Sequence, residues 1–133
     1  MKNIQASGKR KRAIARAVLS QGTGIVRVNK IPVHLINQKM FRLKLMEPLI
    51  LAGDVALKVN IDVQVAGGGV SSQAEASRLA IAKVLANSSK SDKLKEVFLA
   101  YDRNMLVADV RRKEPSKPNR HGQARSKVQK SYR

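Results

Sequence analysis

The sequence has no cysteine and no tryptophan. The first absence excludes disulfide stapling, cysteine-type zinc clusters and thiol catalysis together, and it suits a reducing compartment. Two histidines, His34 and His121, stand too isolated to suggest a metal-ligand set, so neither a metal site nor a cofactor is expected. Aromatic residues are few: Phe41, Phe98, Tyr101 and Tyr132. Domains that read single strands by stacking need aromatics exposed on a sheet, and the one clearly alternating segment offers none on its polar face, so base-by-base readout is not expected. No run approaches the roughly eighteen apolar residues of a membrane span. The start, MKNIQASGKRKR, is polar after its second residue, so no secretory leader is expected either, and a cytoplasmic location is. Acid is scarce as well: Asp and Glu total 9 against 27 Lys and Arg, a net charge of +18 with an isoelectric point near 11.1. That excess far exceeds what solubility needs and points to a polyanionic partner.

The positive charge is concentrated at the ends. Residues 1–16 hold six cations and no acid, residues 111–133 hold nine cations and only Glu114, and the middle is near balance with 12 cations and 8 acids. Close like charges resist compaction until an anion neutralises them, so this reads as a folded body with basic extensions. With 133 residues and 43% hydrophobic content there is material for one modest core. The expected organisation is a globular domain over 1–110 and an extended basic tail over 111–133. The tail, with Pro115, Pro118 and Gly122 and Val128 as its one large aliphatic residue, can bury almost nothing by itself.

Within the body, Leu57, Val59, Ile61, Val63 and Val65 alternate with Lys58, Asn60, Asp62 and Gln64, which predicts a half-buried strand. Ala13 to Leu19 and Ile25 to Asn29 flank Gln21-Gly22-Thr23-Gly24 and read as a hairpin. Three helices are expected. The first is capped by Asn37 and runs from Gln38 to Met46, stopped by Pro48. The second runs from Ser72 to Ala86 and opens on the capping box Ser72-Gln73-Ala74-Glu75, with Ala74, Ile81, Val84 and Leu85 on one face and alanines enough to lie close to a sheet. The third follows Ser91 and sets Leu94, Val97, Phe98 and Tyr101 in one apolar stripe, its aromatics packing in the core. Strands with intervening helices suggest an α+β two-layer sandwich, with a roughly four-stranded sheet and helices on one face.

Between the alternating strand and the second helix lies AGGGVSSQAEASR. Gly67, Gly68 and Gly69 leave the backbone bare where a helix begins, so amides and the positive end of the helix dipole converge and would bind an oxyanion. Four readings stay open. A nucleotide loop lacks the Gly-Lys-Ser/Thr of a Walker motif. A metabolite-kinase loop fits Ser71 and Ser72 better but has no acidic metal ligands around it. The glycines could also make a tight connection alone, or receive an RNA backbone phosphate. With stacking excluded, recognition of a fixed RNA shape through phosphates and 2′-hydroxyls is the expected mode. If about ten cations meet phosphates, log affinity falls with log salt at a slope of roughly −7 to −9.

GKRKRAIARA near the start, EPLILAG at 47–53, GGGVSSQAEA at 67–76 and DVRRKEPSKPNRHGQARSKVQKSYR at the end, in that order, resemble the small-subunit ribosomal protein nine (S-nine) family in its archaeal and eukaryotic branch. The resemblance covers essentially the whole chain. It implies the two-layer α+β fold shared with small-molecule kinases, including a left-handed β-α-β crossover, an exception to the usual hand. It implies no catalysis, but a structural role in the head of the small subunit, against ribosomal RNA and neighbouring head proteins, with no membrane. Its tail would thread toward the peptidyl-site tRNA.

By that resemblance the ribosomal RNA contacts fall on Lys9, Arg10, Lys11, Arg12 and Arg16, on Gly67, Gly68, Gly69 and Gln73, and on Arg111, Arg112, Lys113, Lys117, Arg120, Arg125 and Lys127. Lys130, Tyr132 and Arg133 would face the tRNA anticodon stem-loop. Arg12 stands where relatives commonly have threonine, and Ser72 where they have glycine. An alternative of another class is a free nucleic-acid-condensing or RNA chaperone protein, whose basic ends bind any polyanion.

Overall fold

The computed structural model describes residues 3–89 and 92–125. Strand β1, Ile4–Arg10, and strand β2, Ala13–Gln21, form an antiparallel hairpin closed by Lys11 and Arg12, with Arg10 opposite Ala13 and Ile4 opposite Leu19. The basic amino-terminal segment is therefore an edge strand of the sheet and not an extension. Its inward positions, Ala6 and Gly8 beside Ala13, Ala15 and Ala17, are small because a helix lies almost on top of them.

The expected hairpin of β2 with the Val26–Val28 strand, β3, is not formed. Strand β5, Val59–Ala66, inserts between them, antiparallel to β2 and parallel to β3. The intervening loop is a latch: Asn60 Oδ1 accepts the N–H groups of Thr23 and Ile25, both at 3.0 Å. The tight turn comes one step later, where Asn29 and Lys30 take φ of 48° and 70° and join β3 to the short strand β4, Ile31–Pro32. Asn29 also extends the β3–β5 pairing with its own amide, accepting from Val65 N–H at 3.0 Å and donating to the Val65 carbonyl at 3.1 Å. The sheet thus has five strands in the order β1-β2-β5-β3-β4, one more than expected.

Because β3 and β5 are parallel, a crossover must join them. It is made by α1, Lys39–Ala52, and α2, Asp54–Leu57. Pro48 does not stop α1. Phe41, Leu45, Pro48 and Ala52 recur on one buried face, and packing outweighs the lost backbone bond. The helix begins after Gln38 with no side-chain cap, so the expected Asn37 cap is absent. It ends at Gly53, whose φ of 52° lets its N–H reach the Leu49 and Ile50 carbonyls.

Helix α3, Val70–Ser88, begins two residues before the expected start, with Gly69 at its cap position and no side-chain cap, so the Ser72–Glu75 capping box does not form. Its Ala74, Ala76, Ala80, Ile81, Val84 and Leu85 are buried against β1, β2 and β5. Helix α4, Lys93–Tyr101, has Asp92 at its cap position; the expected cap, Ser91, lies outside the described residues. Only Leu94 and Phe98 of its expected stripe are buried, while Val97 and Tyr101 are 43% and 56% exposed.

Helices α1 and α4 pack beside α3, so the helices form one layer. The other face of the sheet exposes Ser7, Lys9, Arg16, Gln64 and Arg27. After the 3-10 turn Arg103–Met105, residues 106–125 carry neither helix nor strand. They do not run straight: the Lys117 N–H donates to the Gln123 carbonyl at 3.4 Å, and Arg125 pairs with Glu114 to close a loop.

Candidate nucleic-acid interface

Three segments far apart in sequence line one cleft: Lys11 and Arg12 of the β1–β2 turn, Gly68, Gly69 and Ser72 at the start of α3, and Arg112, Lys113, Glu114, Pro115 and Ser116 of the tail. The register explains the meeting. Ala66, the last residue of β5, lies beside Ile14 of β2, so the glycine loop leaves the sheet next to the turn that carries Lys11 and Arg12. Gly67, at φ 80°, turns so close to that strand that a β-carbon would stand 2.5 Å from the Arg12 carbonyl. Gly69 differs, because a β-carbon there would meet nothing within 4 Å and would point into open space.

Helix α3 points its amino terminus into this cleft. With no side-chain cap, its first amides keep their hydrogen-bonding capacity for an incoming oxyanion. Among the described residues no carboxylate pairs with Lys11, Arg12, Arg112 or Lys113, and the one acid lining the cleft, Glu114, is engaged by Arg125. The cleft is therefore cationic, with bare backbone at its floor. Gln73 holds the loop in shape: its Nε2 donates to the Gly67 carbonyl at 3.1 Å, which makes it a brace for the glycines. No three His, Cys, Asp or Glu side chains come together to hold a metal ion among the described residues, and Glu114 is the acid that lines this cleft.

A second cleft, next to the first along the tail, is built from paired charges. Glu75 accepts from Arg10 Nε at 2.6 Å and from Lys44 Nζ at 2.9 Å, joining α3 to β1 and α1. Arg78 pairs with Glu47 and with Asp102, the latter at 2.8 Å, joining α3 to α1 and to the end of α4. Asp109 meets Arg10 Nη2 at 3.3 Å and Arg111 Nη2 at 2.7 Å. Burial works to raise the Glu75 carboxyl, but the hydrogen bonds and charges of Lys44 and Arg10 outweigh it and hold it below the usual range. Asp102 behaves likewise, with burial opposed by Arg78 and the Asn104 N–H. Asp109 lies far below, through the side-chain and backbone hydrogen bonds of Arg111 and the Arg10 charge.

The residues expected to bind RNA thus divide. Lys11, Arg12, Gly68, Gly69, Arg112 and Lys113 come together in the cationic cleft, with Gly67 turning the loop beneath it and Gln73 bracing that turn. Arg10 lies in the paired cleft with its side chain only 13% exposed, and Arg111 is engaged by Asp109. Lys9 is at the mouth of that same cleft, and Arg16 is on the open sheet face opposite Ser7 and Gln64. Lys117, Arg120 and Arg125 belong to the tail loop, where Arg120 donates to the Ala124 carbonyl at 3.2 Å. Lys127, Lys130, Tyr132 and Arg133 lie outside the described residues. Sequence reasoning missed the roles of Glu75 and Asp109. Their one local signal was that both are acids set close to cationic segments.

The family model described as "Ribosomal protein S9/S16" matches residues 8–133. The chain is similar to the "Small ribosomal subunit protein uS9" of Methanococcus maripaludis, 46% identical over 134 aligned positions that cover 100% of both chains. It is similar to the same degree and over the same extent to the protein of that name from Methanococcus vannielii. The chain belongs to the ribosomal protein S9/S16 family.

Proposed function

We propose that the chain is a structural component of the small ribosomal subunit. It binds small-subunit ribosomal RNA through the cationic cleft, packs beside neighbouring proteins of the head, and sends its carboxy-terminal segment toward the anticodon stem-loop of peptidyl-site tRNA. The observation that supports this reading best is the convergence of Lys11, Arg12, Arg112 and Lys113 on the bare amides of Gly68 and Gly69. Guanidinium and ammonium groups around exposed amides suit successive phosphates of a folded backbone and read shape, not bases. The small-subunit name of the relatives supports the assignment to that particle.

Its role is positional and not catalytic, and its place is the ribosome in the cytoplasm. Lys130, Tyr132 and Arg133 are the groups that would meet tRNA; a narrow cationic segment enters an RNA-walled channel that a globular body cannot, and phosphate pairing offsets the cost of ordering it. Sedimentation of cell extract at moderate salt tests the assignment. The protein is expected with small subunits, and recovery only in the soluble or chromosomal fraction would overturn it. Deleting residues 130–133 is expected to leave subunit assembly intact and weaken tRNA binding at the peptidyl site, and unchanged tRNA binding would remove that part.

A further inference from the structure

We propose that Asp109 is a positioning residue, whose carboxylate fixes where the basic tail leaves the body and in which direction. From Met105, fully buried in the core, the chain passes to Val110, 84% exposed, in five residues without helix or strand. No sheet ladder or helix holds it there. Asp109 stands at that exit with its side chain only 16% exposed, and its Oδ2 is shared between Arg10 of the body and Arg111 of the tail. Oδ2 meets Arg10 Nη2 of β1 at 3.3 Å. The same oxygen accepts from Arg111 Nη2 at 2.7 Å and Nε at 2.9 Å, while Oδ1 accepts the Arg111 backbone N–H at 2.9 Å.

The body side of this link is itself fixed. Arg10 is gripped by Glu75, and Glu75 by Lys44, so an unbroken series of ion pairs runs from α1 through α3 and β1 to the tail. Isolated exposed ion pairs constrain little, but a partly enclosed series that removes rotamer freedom from each member acts as a bracket. Arg10 and Arg111 are then part of the bracket. The phosphate contacts of this region are left to Lys11, Arg12 and Lys113 and to the remaining donors of Arg112, whose Nη1 donates to the Asp109 and Arg111 carbonyls, both at 3.1 Å. The inference is independent of any RNA, because it concerns the free chain.

The test uses the full chain, whose lack of cysteine permits clean paired spin labels at Glu96→Cys on α4 and Ser116→Cys on the tail. Pulsed dipolar spectroscopy is expected to give one narrow distance distribution in the parent. Asp109→Asn is expected to lose it to a broad one with an unmoved melting midpoint, and Asp109→Glu to recover most of it. Should Asp109→Asn fail to fold, Arg111→Gln keeps the Arg10 contact but removes the side-chain bonds that set the direction of the chain after Asp109, and is expected to broaden the distribution as well. A distribution that stays narrow without the link would overturn the proposal. So would broadening that comes only with a fallen midpoint, which would make Asp109 a support of the fold.

Discussion

Gly8 of β1 lies directly beneath the backbone of Ala76 in α3: a β-carbon on Gly8 would stand 2.2 Å from the Ala76 carbonyl and 2.9 Å from the Ala80 nitrogen. Both neighbours are helix backbone and cannot rotate aside. Gly8→Ala must therefore push α3 off the sheet, and urea unfolding is expected to show a loss of about 1–3 kcal/mol, as overpacking does. A midpoint equal to that of the parent would mean that the helix does not sit as close as described.

The glycine loop separates two effects that a single substitution would confuse. Gly67 needs φ of 80° and contacts Arg12, so Gly67→Ala should destabilise the fold by about 1–3 kcal/mol. Gly69 has φ of −109° and open space at its β-carbon. Gly69→Ala should keep the parent melting curve and weaken RNA binding, because the added methyl projects into the cleft. Filter-binding and thermal unfolding of both variants check the contrast.

Acid should weaken the body through the paired cleft. The Glu75 and Asp102 carboxyls sit below their ordinary values of 4.5 and 3.8. Their contribution is therefore complete above those values and is lost as pH falls through the lower folded-state values. Thermal midpoints are expected to be flat down to about pH 5 and then to fall steeply. In Glu75→Gln the part of that fall due to Glu75 should be missing, with a lower plateau at neutral pH. A parallel acid slope in the variant would show that Glu75 is not a linked group.

Parts of this architecture were readable from local pattern. The alternation appears as β5 from Val59 onward, whereas Leu57, expected to share its buried face, ends α2 and is 67% exposed; the alanine-rich run appears as α3 lying close to the sheet. What failed was pairing and competition. Gly22 and Gly24 look like a hairpin turn, but no local signal reveals that β5, some forty residues on, will insert beside β2, or that Asn60 will take up the loop amides. Strand β1 was hidden because its buried face is Ala6 and Gly8, too small to register as apolar periodicity, and because its turn is made of Lys11 and Arg12. Pro48 ended α1 by propensity and did not end it in fact, since its ring shares the buried face with Leu45 and Ala52. Glu75 had two possible partners, the helix start and the cations of β1 and α1, and the second choice depends on contacts 65 and 31 residues away. For the site, the residue types were evident, but which cations stay free was not. That division follows from where four carboxylates, Glu47, Glu75, Asp102 and Asp109, gather in the fold.

The claim that three separate segments act as one phosphate-binding surface is tested most directly by the salt dependence of binding to small-subunit ribosomal RNA. The parent chain is to be compared with a variant carrying Lys11→Gln, Arg12→Gln and Lys113→Gln. All three side chains line the same cleft and none is in an ion pair among the described residues, so the fold should be unaffected. The plot of log affinity against log salt is expected to become shallower by about 0.7–0.9 for each cation removed. An unchanged slope would contradict the account, because it would place the phosphates elsewhere.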